Sequence, residues 1–197
     1  MNTTNKIRNE KQLSIYGEAE FVFLNTRDNA FSEPGEYKVT LKVPKGKSGE
    51  LIRDINEVIC AELKAQGHDI DASADRKKYH LDKAKKPYKV VGDVVEFKLH
   101  SQFKPVLWDK DQNKMDENIN VWKQSTMWVN CKASGYAKSI GTGATLLMGS
   151  VQIDHLVEGA SQNADTCPFP KRTPRIKLDQ EPMTHKSVLP APQKAVY

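Results

Sequence analysis

Apolar and polar residues alternate over several long stretches of the sequence, which predicts a chain built mainly of β-strands. The clearest stretch is VVEFKLHSQFKP at 94–105, because alternate side chains of a strand point to opposite faces. One face of this strand carries Val95, Phe97, Leu99, Ser101 and Phe103. The other face carries Val94, Glu96, Lys98, His100, Gln102 and Lys104. The first face suits a protein core, and the second raises the question of whether an anion lies along its basic and polar side chains.

The same alternation predicts several further strands. Residues 15–24 place Ala19, Phe21 and Phe23 on one face, and residues 36–44 alternate cleanly up to Pro44. Strands are also predicted at 125–133 and at 144–158, where Gly149 indicates a bulge or a close approach of another chain segment. Between them, 105–122 reads as a hairpin around DKDQNK that returns through Ile119 and Val121.

One segment has a helical period instead. In residues 48–67 the apolar positions recur at helical spacing, with Ser48 as a candidate N-cap and Gly67 just past the end. The polar, basic segment 68–90 reads as a connection with some helix. About six antiparallel strands and one main α-helix after the second strand favour a small closed barrel, with a β-sandwich as the alternative.

Composition divides the chain into three parts. Residues 1–14 are polar, without an apolar signal segment, and are expected to be flexible; 15–158 form the folded domain. Residues 159–197 contain six prolines and are expected to be mostly disordered. No apolar run approaches the length of a membrane span.

Motif searches give no sign of an enzyme or of a cofactor. The stretch LKVPKGKS at 41–48 has Leu41 where a phosphate-binding loop needs glycine. The five histidines lack metal-ligand spacing, and three widely separated cysteines fit reduced thiols better than disulfides or zinc. The acidic stretch 109–118 lacks the glycine and the final glutamate of a calcium loop. We therefore expect neither a metal nor a cofactor.

The placement of cations and aromatic residues indicates binding of unpaired nucleic acid. The net charge is +5, and several lysines lie on strand faces that point away from the core. Aromatic residues lie among them, and such proteins combine cations for phosphates with flat side chains for bases. The lysines of this set are Lys38, Lys42, Lys98, Lys104, Lys132 and Lys138, and the aromatics are Trp108, Trp122, Trp128 and Tyr136.

Three segments in order strengthen this interpretation: PGEYKVTLKVP at 34–44, VEFKLHSQF at 95–103 and SGYAKSIGTGATLLMGSVQIDHLVE at 134–158. Together they resemble the single-stranded DNA-binding proteins of short-tailed lytic phages and their relatives in other tailed phages. The resemblance implies an OB-fold barrel of five to six strands. It also implies sequence-tolerant binding of single-stranded DNA in phage replication and recombination, in the cytoplasm of the infected bacterial host.

The resemblance also assigns roles to individual residues. Tyr136 stands where the family places an aromatic residue, in the turn before the last long strand. Lys98 and Lys38 match lysines of the family, and His100 occupies a position where tyrosine can occur. Lys98, His100 and Lys104 would then form one wall of a DNA groove. Stacking is expected from Tyr136, Trp108 and His100, with Trp128 as a further candidate, and phosphate contacts from the six lysines.

The tail departs from the family, whose best-studied members end in a strongly acidic segment that competes with DNA. Here 159–197 has six basic and three acidic residues, a net charge of +3. This tail cannot imitate DNA electrostatically, so we expect it to contact DNA phosphates, including those of duplex DNA. Recruitment of replication proteins through the tail is a separate expectation, which the loss of the acidic segment weakens.

Three alternatives stay open at this point. The first is a strand-annealing recombination protein on the same fold, and the second is a barrel that binds another protein. The third is a metal-dependent nuclease that uses the carboxylates of 109–118. Either a monomer or a homodimer is compatible with the sequence.

Overall fold

The computed structural model describes residues 9–30, 33–116, 119–139 and 141–158. The predicted tail, 159–197, lies outside the described residues, as do residues 1–8 of the predicted flexible N-terminus. Seven strands and two α-helices follow one another in the order β1 (Glu10–Asp28), β2 (Glu36–Pro44), α1 (Gly49–Ala65), α2 (Ala74–Lys83), β3 (Tyr88–Val91), β4 (Val94–Ser101), β5 (Leu107–Trp108), β6 (Thr126–Lys138) and β7 (Gly141–His155).

The strands form one sheet that closes on itself. Neighbouring strands follow the order β3-β4-β2-β1-β6-β7-β5, and β4 also pairs with β7. This last pairing is parallel and joins Leu99 to Leu146 and His100 to Leu147. The result is a five-stranded barrel of β1, β2, β4, β7 and β6, with α1 after the second strand. The mostly β, OB-fold-like barrel is therefore confirmed, with one parallel pair among its antiparallel ones.

Alternation along the strands fills the barrel interior. Ile15, Leu41, Phe97, Val129 and Leu146 come from five different barrel strands, and none of them exposes any surface. Helix α1 packs against β1, β6 and β7 and buries the apolar face that its period predicts. Burial of each such side chain is worth about 1.5–3 kcal/mol, so this core is the main source of stability.

The first strand departs from its predicted form. It begins at Glu10 and pairs with β6 from there on, so residues 10–14 are strand rather than flexible chain. The pairing with β2 shifts register between Ala19 and Phe21, which is a β-bulge. Because one extra residue reverses the alternation, Phe21 points outward and is 62% exposed. Ala19, Phe21 and Phe23 therefore do not share a core face.

Three other boundaries differ from the prediction. Strand β4 ends at Ser101, so Phe103 leaves the core face and is 81% exposed. Only residues 139–140 separate β6 from β7, so Tyr136, which was expected in the turn before the last long strand, lies within β6. The chain after β5 returns at Lys114, which pairs with Trp108, and not through Ile119 and Val121.

The glycine at 149 behaves as predicted. Val129 pairs with Val151, but Cys131 pairs with Met148, so Gly149 and Ser150 together face one residue of β6. A Cβ atom at position 149 would lie 3.1 Å from the carbonyl oxygen of that residue, Asn130. The bulge and the close approach occur at the same place. Gly67, with a φ of +83°, follows α1 as predicted.

A second glycine, Gly143, allows another chain segment to approach β7 closely. Lys85 forms a parallel bridge with Gly143, with hydrogen bonds of 2.9 Å from its N–H to the Thr142 carbonyl and 3.1 Å from the Ala144 N–H to its own carbonyl. A Cβ atom at position 143 would lie 2.3 Å from the Lys85 carbonyl oxygen. This close contact between Lys85 and Gly143 places the basic segment after α2 beside the β6–β7 hairpin.

Among the described residues, the helices are too short or too polar to span a membrane.

We expect Gly143→Ala to destabilise the protein by about 1–3 kcal/mol, because the new methyl group overlaps backbone atoms of Lys85 that cannot simply rotate away. Urea unfolding followed by circular dichroism measures the change. Gly46→Ala is the control, since nothing lies within 4 Å of a Cβ atom there. Equal unfolding midpoints for the two variants would contradict the close contact between Gly143 and the Lys85 backbone.

The thiol of Cys131 should be inert in the folded protein. Burial among apolar neighbours raises the pKa of Cys131 to about 12, so at pH 8 only about one thiol in ten thousand is ionised, and the thiolate is the reactive form. Peptide mass spectrometry after iodoacetamide treatment should find Cys131 unmodified without denaturant and modified in urea. Rapid labelling of this residue in the native state would show that the barrel opens at β6.

Candidate functional site

A groove of about 920 Å³ lies where β4, β6 and β7 meet. Its walls come from the end of β4 and the residues after it, from the last part of β6 and from the first half of β7. The lining residues are Glu62, His100, Ser101, Gln102, Phe103, Ser134, Gly135, Tyr136, Ala137, Lys138, Thr145, Leu147 and Met148. We call this the closure groove, because the β4–β7 pairing that closes the barrel runs through it.

Strand register explains why these residues meet. Lys132 of β6 pairs with Leu147 of β7, Leu147 pairs with His100 of β4, and His100 pairs with Lys38 of β2. These four outward-facing side chains form a row across four strands, about 4.8 Å from one strand to the next. The sequence predicted a cationic row along one strand, whereas the barrel builds one across several strands.

His100 is held in a fixed orientation in the groove wall. Its Nε2 atom lies 2.6 Å from the Thr145 hydroxyl oxygen, and its Nδ1 atom lies 3.4 Å from a carboxylate oxygen of Glu36. The ring is half-buried between neighbouring strands. It is therefore positioned as a flat wall element rather than as a freely rotating side chain.

Tyr136 and Lys138 come from the end of the β6–β7 hairpin. Tyr136 pairs with Gly143, and Gly143 bridges to Lys85. The Lys85 segment therefore packs against the end of the hairpin. The Lys138 ammonium lies 5.7 Å from the centre of the Tyr136 ring, within the range of a cation–π contact. An exposed cation and a half-buried aromatic ring thus stand together at the rim of the closure groove.

The floor of the groove carries a carboxylate. Glu62 of α1 is only 2% exposed and accepts a hydrogen bond of 3.1 Å from the Asn9 amide. Gly135 makes room for it, since a Cβ atom there would lie 3.1 Å from the Glu62 Cβ atom. The groove thus has a hydrogen-bonded carboxylate at its floor and the Lys138 ammonium among its lining residues.

Three of the predicted lysines are paired with carboxylates. Lys38 lies 3.3 Å from Asp28 and Lys132 lies 2.9 Å from Glu10, while Lys42 pairs with Glu20. The backbone N–H of Ala30 and the Lys38 side chain lower the pKa of Asp28. The hydrogen bond between Glu20 and Lys42 lowers the pKa of Glu20 and raises that of Lys42. Ion pairs at the surface are weak, so they exchange partners readily.

Lys104 does not form one wall with Lys98 and His100. Lys98 and His100 share the outward face of β4, where they lie opposite Thr40 and Lys38 of β2. Lys104 follows the end of β4 and lines a separate small cavity with Asn25. The predicted row fails at this point because the alternation stops where the strand ends, at Ser101.

The predicted aromatic residues fall in different places. Tyr136 and His100 line the closure groove, whereas Trp108 and Trp128 line a second groove of about 590 Å³ on the outer face of β5, β6 and β7. Trp122 is 50% exposed and belongs to neither groove. The predicted stacking residues therefore do not form a single platform.

Sequence reasoning missed three residues at the closure groove. Two of them line it: Phe103 was predicted to be a core residue, and Glu62 was hidden among the polar positions of α1. The third, Lys85, lies beside the groove, where it bridges to Gly143 of the hairpin. Only the glycine carried a signal, since a glycine within a strand pattern marks a close approach.

In the described part of the chain, no group of three or more histidine, cysteine, aspartate or glutamate side chains is placed to hold a metal ion. The carboxylates of 109–116 do not converge on one point. Asp109 instead accepts hydrogen bonds from the backbone of Asp111 and Asn113, which makes it the anchor of a tight turn.

No family model matches the sequence, and no curated protein is similar to it. Solved structures are similar to its fold. The first is gp2.5, a single-stranded DNA binding protein encoded by bacteriophage T7, with a TM-score of 0.57 and 19% identity over 79% of this chain and 92% of that one. The second is the single-stranded DNA-binding protein from bacteriophage Enc34 in complex with ssDNA, with a TM-score of 0.56 and 12% identity over 80% of this chain and 96% of that one. These likenesses establish the fold.

Proposed function

We propose that this protein belongs to the tailed-phage single-stranded DNA-binding proteins and that it binds and protects unpaired DNA without catalysing a reaction. The observation that carries the proposal is the closure groove, which Tyr136, Lys138 and His100 line together on a barrel of this fold. Support also comes from the two structural neighbours, which are single-stranded DNA-binding proteins.

The groove assigns different positions to bases and phosphates. Its interior offers the Tyr136 ring, the His100 ring and the apolar side chain of Leu147, all of which suit flat, uncharged bases. Lys138 at the rim attracts phosphates. The bases therefore enter the groove, and the backbone of the DNA follows the rim.

The row across the strands supplies the path for the backbone. Lys132 and Lys38 lie at its two ends, with His100 between them, and both lysines are held by carboxylates in the free protein. Phosphate replaces these carboxylates at little cost, because exposed ion pairs are weak. Affinity then comes from counterion release, which is independent of sequence and sensitive to salt.

Three further predictions rest on this proposal. The protein acts in phage replication and recombination, it is located in the cytoplasm of the infected host, and its basic tail contacts duplex DNA. Strand annealing is a compatible second activity, which a complementary-strand pairing assay detects. Incubation of labelled DNA with magnesium and the protein tests the nuclease alternative, and we expect no cleavage.

Tyr136→Ala should weaken binding of oligothymidine about 5- to 150-fold, since loss of one stacked base costs about 1–3 kcal/mol. Fluorescence anisotropy of a labelled oligothymidine measures the affinity. Tyr136→Phe keeps the ring and should bind nearly as well as the wild type. Tyr79→Ala is the control, because Tyr79 is an exposed tyrosine on α2 that also lies beside a lysine, Lys83, but is outside the closure groove.

Unchanged affinity in folded Tyr136→Ala would remove the closure groove from the DNA path. Thermal unfolding of each variant separates this result from a loss of structure.

Lys98→Gln should lower the salt dependence of single-strand binding by about 0.7 in the slope of log affinity against log salt, the value for one lost phosphate contact. Tryptophan fluorescence titrated with oligothymidine at several salt concentrations measures the slope. Lys47→Gln is the matched control, since Lys47 lies beyond the Pro44 end of β2, away from the row that includes Lys38.

A matched duplex is titrated in parallel. Similar affinity for the duplex would indicate that backbone contacts dominate. Absence of any salt-dependent binding would instead favour the protein-binding barrel.

A further inference from the structure

A second row of side chains crosses the outer face of the barrel. Tyr16 of β1 pairs with Trp128 of β6, Trp128 pairs with Gln152 of β7, and Gln152 pairs with Trp108 of β5. Three of these four side chains are aromatic, and the two indoles stand on either side of Gln152. We call the space between Trp108 and Trp128 the indole slot.

The aromatic rings of this row are open to solvent. Trp128 is 47% exposed and Trp108 36%, and the groove between them has a volume of about 590 Å³. The other lining residues are neutral hydrogen-bonding groups, namely Ser14, Gln112, Asn130, Ser150 and Gln152. The slot therefore offers flat apolar faces with amides and hydroxyls around them and no charged side chain in its lining.

The Trp128 ring and the chain beside Trp108 are held in place before any ligand binds. The Tyr16 ring lies 4.9 Å from the Trp128 ring, and the Tyr16 hydroxyl donates a hydrogen bond of 2.9 Å to Asp154. On the other side, the Asp109 turn fixes the chain directly after Trp108. The Gln152 amide donates to the Asp109 carbonyl over 3.2 Å, which ties that turn to β7. Such pre-organisation lowers the entropy lost on binding.

The spacing of the strands matches the thickness of one flat ring. Trp108 and Trp128 lie on strands that are two steps apart, which is about 9.6 Å for a spacing of about 4.8 Å. A ring placed between two others needs two contacts of about 3.5–4.0 Å each, about 7–8 Å in total. Two strand spacings therefore leave room for one ring over Gln152, between the two tryptophans.

The indole slot and the closure groove lie along one strand. Trp128, Lys132 and Tyr136 occupy the same outward face of β6 at intervals of four residues, about 13 Å for each interval. Lys132 stands midway between the slot and Tyr136, where a phosphate backbone joining bound bases would pass. This continuity favours a nucleic acid strand over a protein partner.

We propose that the indole slot is a second base-binding subsite, which takes one unpaired base of the same DNA strand that occupies the closure groove. The proposal rests on the proposed function and extends the bound strand along β6 from Tyr136 past Lys132. The base stacks on Trp128 and Trp108, and the amides of Asn130 and Gln112 face its edge.

The test compares a short and a long oligothymidine, of about 4 and about 16 nucleotides, which are the limits of known site sizes for one such barrel. Labelled oligonucleotides report binding by anisotropy to wild type, Trp108→Ala, Trp128→Ala and Trp108→Phe. Trp122→Ala is the matched control, an exposed tryptophan outside both grooves.

We expect Trp108→Ala and Trp128→Ala each to weaken binding of the long oligonucleotide about 5- to 150-fold, the cost of one lost stacking contact. Binding of the short one should change less, since it fits within the closure groove. Trp108→Phe and Trp122→Ala should bind the short and the long oligonucleotide with the affinity of the wild type. A second readout avoids dependence on the folding of the alanine variants. In Trp122→Phe the remaining tryptophans are Trp108 and Trp128, and the long oligonucleotide should quench their emission.

Two results overturn the proposal, and they differ from failure of the proposed function. Unchanged affinity of both alanine variants for the long oligonucleotide, or unquenched emission of Trp122→Phe, excludes the slot while Tyr136→Ala still weakens binding. If the wild type binds neither oligonucleotide, the proposed function fails and the slot fails with it.

Discussion

The parallel pairing of β4 with β7 is the constraint on which the rest of the structure depends. It joins only two pairs of residues, Leu99 with Leu146 and His100 with Leu147, yet it converts a sheet into a closed barrel. Closure removes two strand edges and buries side chains from all five barrel strands in one core. The same pairing brings His100 of one strand beside Thr145 of another and so forms a wall of the closure groove. Stability and the candidate site thus share one origin.

The outer surface of the barrel is organised in rows that cross the strands. One row, from Lys132 to Lys38, has a lysine at each end, and both lysines are paired with carboxylates in the free protein. The other row, from Tyr16 to Trp108, is aromatic, and amides and hydroxyls surround it. Each row follows from strand register, because residues that pair across strands share a face. Weak ion pairs leave the first row free to exchange its partners, whereas the second row is held rigid before a ligand arrives.

Glycines and bulges decide where the regular pattern is interrupted. The bulge after Ala19 turns Phe21 outward, and the bulge at Gly149 lets β7 continue past Asn130 without a clash. Gly143 lets the Lys85 segment lie directly against β7 beside Tyr136. At each of these points a single residue changes which side chains reach the surface. A strand pattern predicts such places only when the residue is a glycine, since a bulge at Glu20 leaves no mark in the sequence.

Local patterns in the sequence were sufficient for the strands, the main helix and the inward-facing residues, because alternation and helical period are set by the backbone and by burial. They were also sufficient for single candidates such as Tyr136, Lys138 and His100, which do meet in one groove. Three outcomes were decided only by the tertiary structure. Lys104 lines a separate cavity, Glu62 forms the floor of the closure groove, and Trp108 and Trp128 lie on either side of Gln152. These outcomes depend on register between strands distant in the sequence, and register is fixed by packing of the whole barrel rather than by any local segment.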